Sequence, residues 1–195
     1  GVEGRVFELL GLEYKLVSKE TVLHPTILHW AGSPDAEKFD EGKTVVDIKC
    51  PITPKSFCQL VAPLYEGYTG MDAMNAIRNG YTDKRGFEHK KHKDGEKFYW
   101  QLVSNAILTN SDHAELIVYC PYKSELLEIQ QIAAPSSDSP DNANWIYYAS
   151  HDELPWIPDG GYYKNINVIR FTVLEEDKTT LTKRMDQCGA LLIQV

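Results

Sequence analysis

The sequence predicts a mixed α/β domain. Three observations carry that expectation. Runs of β-branched and aromatic residues such as TVVDIKC and NINVIRFTV read as strands. Longer stretches such as EKFYWQLVSNAILTN place apolar residues at helical spacing. The two kinds of segment alternate along the chain, with no internal repeat, low-complexity tract or linker to divide it. At 195 residues the chain suits a single domain, 1–195, with a proper core.

A first helix is expected at Glu3–Leu12, with Val6, Phe7, Leu9 and Leu10 apolar and Gly11 as its stop. Because that helix begins at once, Gly1 is read as not being the natural start. TVLHPTILHWAG reads as extended, with Pro25 marking a bulge or an edge. SPDAEKFDEGK then reads as a turn, and TVVDIKC as the returning strand of a hairpin. Pro51 and Pro54 close that strand, and a helix follows through Phe57, Leu60 and Val61. Residues 66–97, rich in Gly, Lys and His, form the least regular stretch and read as a basic inserted segment. EKFYWQLVSNAILTN is the next helix, HAELIVYCP a strand, APSSDSPDN a loop, NWIYYAS a short strand and NINVIRFTV another. Glu175–Ile193 reads as a closing helix. The expected order is α-β-β-α-(insert)-α-β-β-β-α.

No apolar run reaches the roughly 18–20 residues of a membrane span, and no signal-peptide pattern opens the chain. Cys50, Cys58, Cys120 and Cys188 form no CxxC pair and no zinc spacing, and read as reduced, mostly buried cysteines of a cytosolic protein. The net charge of −8 argues against coating nucleic acid by bulk electrostatics, yet leaves room for a local basic groove. Such a stretch exists: Lys84–Lys97 holds six Lys/Arg against three acids. Lys84, Arg85, Lys90, Lys91 and Lys93 are its candidate phosphate contacts, and a solvated lysine-rich loop is the alternative. His89 and His92 within it read as solvated surface histidines. The aromatic residues of the second half, from Tyr119 and Tyr122 through Trp145, Tyr147, Tyr148 and Trp156 to Tyr162 and Tyr163, read as core and sheet packing.

Candidate chemistry lies in TVVDIKCP. Asp47 and Lys49 are two apart in a strand, so their side chains leave on the same face. Burying such a pair is rarely the cheapest way to stabilise a core. A hairpin of the expected kind can return Asp35, in GSPD, to the side of Asp47. Two converging carboxylates suit Mg²⁺, a hard ion that takes oxygen ligands, and a neighbouring lysine can orient water and stabilise charge on a phosphate. The bare spelling is common: Pro-Asp occurs three times and acid-x-Lys five times in the chain. Only 47–49 lies within a β-branched strand preceded by a strand and Pro-Asp. Glu3, in the first helix, and Gln101, among apolar neighbours, are further candidates. Each has an ordinary reading as well, a first-turn acid facing the helix dipole and a solvent-edge glutamine. From the residues alone, a metal-dependent nuclease and a solvated hairpin with incidental charges both stand.

Taken in order, GVEGRVFELLG, GSPD, VVDIKCP and FYWQLV resemble the PD-(D/E)XK nucleases, and within them the lambda-type exonucleases, or YqaJ-like viral recombinases. The resemblance runs from Glu3 to about Asn110. It implies a restriction-endonuclease-like core, a central mixed β-sheet flanked by helices. It implies Mg²⁺, with Mn²⁺ substituting, held by Asp35, Asp47 and the backbone carbonyl of Ile48. Lys49 would position or activate water, Glu3 assist at a second metal, and Gln101 hold the lysine or substrate. The family resects duplex DNA ends from 5′ to 3′, and its best-known members form a ring-shaped trimer and work with a single-strand annealing protein in phage recombination. A cytoplasmic, phage- or prophage-encoded enzyme is thereby expected. An endonuclease of the same fold and a non-cutting DNA-binding module are the alternatives. Only two residues precede Glu3, where the lambda-type enzymes carry a segment that helps hold the 5′-phosphate end, and the stretch from Lys49 to Gln101 is longer than theirs.

Overall fold

A computed structural model describes residues 2–10, 13–17, 21–40, 42–135 and 144–192, the side chains of residues 2–4, 7, 40, 144 and 192 excepted. In chain order the elements are α1 (Val2–Leu10), β1 (Tyr14–Leu16), β2 (Val22–Leu23), β3 (Ala31–Gly32), β4 (Ala36–Asp40), β5 (Gly42–Lys49), α2 (Pro54–Tyr65), α3 (Gly70–Asn79), β6 (Tyr81–Thr82) and β7 (Glu88–His89). There follow α4 (Gly95–Thr109), β8 (His113–Tyr119), a 3-10 turn, α5 (Leu126–Ile132), α6 (Asn144–Tyr148), β9 (Ile166–Thr172) and α7 (Glu175–Leu192).

Five strands form the central sheet in the order β1-β4-β5-β8-β9. β5 and β8 pair in parallel and the other neighbours antiparallel, so the sheet is mixed. A parallel pair needs a crossover between its strands. Here that crossover carries α2, α3 and α4 onto one face, where Val45, Phe57, Leu60, Met74, Leu102 and Leu116 share a core. The opposite face buries Val46, Ile48 and Ile117 against Val6 of α1 and Ile129 of α5. The architecture is therefore α/β, with helices on both faces of a mixed sheet. Among the described residues no helix is long and apolar enough to cross a membrane.

The helix ends follow from local sequence. Thr53 caps α2, its hydroxyl oxygen accepting from the Ser56 N–H at 3.1 Å, and Pro54 follows where a helix can spare a donor. Asn110 ends α4 in the left-handed region at φ 53°, which lets the Ser111 N–H reach back to the Ala106 carbonyl at 2.8 Å.

Five expectations are corrected. The antiparallel partner of β5 is not the 21–32 stretch but β4, whose sequence reads as a turn. Its charges are accommodated in pairs: Glu37 lies 3.0 Å from Lys43, and Lys38 lies 3.4 Å from Glu13 and 3.7 Å from Glu115. The reversal is tight, with Asp40 opposite Gly42 and Gly42 at φ +102°, a backbone that glycine adopts freely. Residues 66–97 are not irregular throughout. They hold α3, whose Ala73, Met74 and Ile77 lie in the main core, and the short β6–β7 hairpin.

NWIYYAS forms α6 rather than a strand. Its Ile146 and Ala149 carbonyls accept from the Gln130 amide at 3.3 and 2.7 Å, and aromatic strand propensity counts only where a sheet offers a partner. Of the aromatic residues read as core and sheet packing, Trp145, Tyr147, Tyr148 and Tyr162 are exposed, whereas Tyr119 is buried. Of the cysteines only Cys120 is buried; Cys58 is half-buried, and Cys50 and Cys188 are exposed.

Candidate active site

Side chains alternate across β5, so Val45, Asp47 and Lys49 leave on the face covered by α2, α3 and α4. Asp47 sits at mid-strand beside Leu116 of β8 and is 1% exposed. Lys49 is the last residue of the strand, where the sheet edge opens, and its side chain is 20% exposed. The two charges form an ion pair between Asp47 Oδ2 and Lys49 Nζ.

α4 completes the arrangement from above. Phe98 and Gln101 are three residues apart on that helix and so share a face. The Gln101 amide Nε2 donates to Asp47 Oδ1 at 2.9 Å, and its Oε1 accepts from Lys49 Nζ at 3.3 Å. Gln101 thus matches both ends of the ion pair, donor to acid and acceptor to base. The Lys49 ammonium lies 5.2 Å from the centroid of the Phe98 ring, a cation–π distance.

Asp35 enters from β4. It directly precedes Ala36, which pairs with Val46, so the hairpin brings it beside Asp47. Its N–H donates to the Val46 carbonyl at 3.1 Å, and its Oδ2 accepts from the Ile48 N–H at 2.6 Å. Asp35 therefore grips the backbone on both sides of Asp47. Ile48, the expected carbonyl ligand, has its N–H committed to Asp35 while its side chain packs into the opposite core. Glu3 falls on α1, but its side chain lies outside the described residues; Val6 of that helix packs on the face opposite Asp47. The structure brings together Asp35, Asp47, Lys49 and Gln101.

The basic segment is a built hairpin. Tyr81 stacks on His89 with ring centroids 4.7 Å apart, and His89 lies 2.9 Å from Asp83. Lys84, Arg85, Lys90, Lys91 and Lys93 are all exposed, and the Lys84 N–H donates to Glu66 at 3.1 Å. Lys93 and Lys49 line one cavity, which sets the end of this segment beside the candidate site.

Two residues outside the expected set are also placed here. His92 is 4% exposed, not solvated. Its burial follows from Gly95: a Cβ there would lie 2.6 Å from the Ile77 carbonyl oxygen, so the start of α4 presses against the end of α3. The His92 N–H donates to that same carbonyl at 2.9 Å. Its ring nitrogen Nε2 lies 2.9 Å from Ser56 Oγ on α2. The only sequence signal for this burial was the glycine two residues before Lys97.

The other is Glu115 on β8, 1% exposed, on the face opposite Asp47. Tyr14 donates to it at 2.8 Å, and Lys38 and Arg170 approach it to 3.7 and 3.9 Å. Its signal, an acid inside HAELIVYCP, is the same one that singled out Asp47. Its partners are a tyrosine hydroxyl from β1 and cations from β4 and β9.

Desolvation lowers the pKa of His92, with Lys93 adding to the shift and Asp94 opposing it. The folded protein therefore binds a proton here less readily than the unfolded chain. Stability is full above the unfolded imidazole value of about 6.5 and is lost as pH falls from there through the lowered folded value. The expected result is an unfolding midpoint that drops on acidification below about pH 6.5, less steeply in His92→Gln. Equal slopes in the two proteins would remove His92 from that dependence.

No protein-family model, curated protein or solved structure matches this chain.

Proposed function

We propose that the chain is a divalent-metal-dependent deoxyribonuclease on a restriction-endonuclease-like core, an exonuclease resecting duplex DNA ends. The observation that carries this reading is the convergence of Asp35, Asp47, Lys49 and Gln101 from β4, β5 and α4 on one strand end. The strand residues alone are spelled cheaply; the cross-strand clasp and the bridging amide are not.

The donor set fits a hard ion. Two carboxylates stand on neighbouring strands, and among the described residues Asp35 Oδ1 accepts no hydrogen bond. The described residues contain no group of three or more His, Cys, Asp and Glu that could hold a metal. Mg²⁺ needs no such cage, because it is commonly held by one or two carboxylates together with water and substrate phosphate. Asp35 and Asp47, with the Ile48 carbonyl, would hold it, and Mn²⁺ would substitute. When bound, the ion supplies Lewis-acid activation of water and phosphate.

The chain's own residues do the rest. Lys49, at the open edge, orients the attacking water and offsets negative charge developing on the phosphodiester oxygens. Gln101 fixes the lysine through its Oε1, and Asp47 holds the ammonium in place by close opposite charge. The exposed lysines of the hairpin segment contact flanking phosphates. The resemblance of the motifs adds 5′-to-3′ polarity, a ring-shaped trimer, an annealing partner and a place in phage-type recombination.

The test uses linear duplex DNA labelled at the 5′ or 3′ end, beside a closed circle, with and without Mg²⁺. The expected result is metal-dependent loss of the 5′ label as mononucleotides, with the circle intact. Cutting of the circle would reassign the site to an endonuclease, and metal-independent or absent cleavage would overturn the reading. Replacing Lys90, Lys91 and Lys93 together by alanine should weaken duplex binding and flatten its salt dependence by up to about three phosphate contacts. An unchanged salt slope would make the segment a spectator.

A further inference from the structure

Beside Lys49 lies a cavity of about 280 Å³ whose wall includes Ser56, His92, Lys93 and Phe98. Its polar groups have defined roles. The backbone N–H of Asp94 donates to His92 Nδ1 at 3.2 Å, so Nδ1 carries no proton. Burial disfavours the charged ring, and the neutral imidazole must then hold its proton on Nε2. Nε2 lies 2.9 Å from Ser56 Oγ and donates to it.

This direction decides what the pair can do. Ser56, His92 and Asp94 look like a nucleophile, a base and an orienting acid. Activation of a serine requires the imidazole to accept the hydroxyl proton, with a carboxylate on the other nitrogen. Here the imidazole donates to the hydroxyl, and a backbone N–H occupies Nδ1. Ser56 is therefore not primed to attack. With its oxygen accepting from His92, its own O–H is left to donate, and among the described residues no acceptor takes it. A hydroxyl donor fixed by a buried histidine, with Lys93 84% exposed beside it and Lys49 on the adjoining wall, is suited to an anion. Asp94, also on the wall, lies 4.0 Å from Lys93 and offsets part of its charge.

We propose that this cavity is a phosphate subsite adjoining the catalytic pair, in which Ser56, held by His92, donates to an oxygen of a second phosphate of the DNA strand. The assignment rests on the nuclease reading for its ligand, and Lys49 is the wall shared by the two sites. The phosphate is either a terminal monoester or the next phosphodiester, and the two are separable by experiment.

Inorganic phosphate is titrated into the metal-free full chain while the Ser56 amide and the His92 ring nitrogens are followed by NMR. Binding of duplexes with a 5′-phosphate or a 5′-hydroxyl is measured in parallel, without metal, for the wild type, Ser56→Ala and Ser56→Thr. Expected are saturable shifts at Ser56 and His92, about a tenfold loss of affinity in Ser56→Ala, and recovery in Ser56→Thr, which keeps the hydroxyl. A loss confined to the 5′-phosphorylated duplex assigns the subsite to a terminal phosphate, and an equal loss for both duplexes assigns it to a phosphodiester. Unshifted Ser56 and His92 signals, or unchanged affinity in Ser56→Ala, overturn the subsite. The nuclease reading is judged apart, by metal-dependent cleavage. Cleavage without phosphate binding sinks only the subsite, whereas phosphate binding without cleavage sinks only the nuclease.

Discussion

Lys49→Ala is expected to lower the rate of DNA cleavage by about 10²–10⁴-fold, the range associated with removing a group that moves a proton or stabilises transition-state charge. Duplex affinity should change much less, because Lys49 is one cation and the 84–93 stretch carries five further exposed ones. The same substitution leaves Asp47, 1% exposed, without its cation. Some loss of stability accompanies it, so the rate must be compared among folded proteins. Lys49→Gln is the companion variant: it retains a donor toward Asp47 but not the charge. Both variants should show this loss of rate under single-turnover conditions with saturating DNA, while circular dichroism reports a native fold. Cleavage surviving in Lys49→Ala would remove the lysine from the mechanism, and with it the physical reason for pairing Asp47 with a cation at the sheet edge.

The second large effect concerns the other buried acid. Glu115→Ala removes the carboxylate that Tyr14, Lys38 and Arg170 surround. Taking one partner from a buried charge network leaves the others uncompensated, at a cost of about 3–5 kcal/mol. Lys38 keeps Glu13 at 3.4 Å and Arg170 is partly exposed, so the lower end is expected, about 3 kcal/mol. For a domain of this size that corresponds to a fall in Tm of roughly 6–12 °C. Glu115→Gln, which can still accept from Tyr14, should lose less. Metal-dependent cleavage by folded Glu115→Ala should persist, since Glu115 lies on the sheet face opposite Asp47. A Tm within 2 °C of the wild type would show that the network contributes little.

These two acids show how far the sequence could be read. Asp47 and Glu115 each interrupt an apolar strand, and each is buried. Local sequence marks both as costly and cannot say which is structural, because a buried charge declares its cost but not its partner. The partner comes from elsewhere in the chain: Gln101 is 54 residues from Asp47, and Tyr14 is 101 residues from Glu115. Similarly, the charged residues of β4 read as a turn, and those charges are accommodated by strands laid beside them. His92, flanked by lysines, reads as solvated, and its burial depends on α3 and α4 closing around Gly95.

By itself the sequence determined the α/β class, the existence of the helices that the structure places at 54–65, 95–109 and 175–192 and of the strands it places at 42–49, 113–119 and 166–172, and the spacing that puts Asp47 and Lys49 on one face. Each of these follows from short-range rules, caps, β-branched runs and the two-residue repeat of a strand. Only the tertiary structure decided that β4, not the segment before it, pairs with β5, and so how Asp35 reaches Asp47. It also decided that α6 is a helix, and that Ser56 and His92 meet beside Lys49. The physical reason is the same throughout: a strand's pairing, a charge's counterion and a histidine's burial are set by groups distant in sequence, and no local pattern encodes which distant group will arrive.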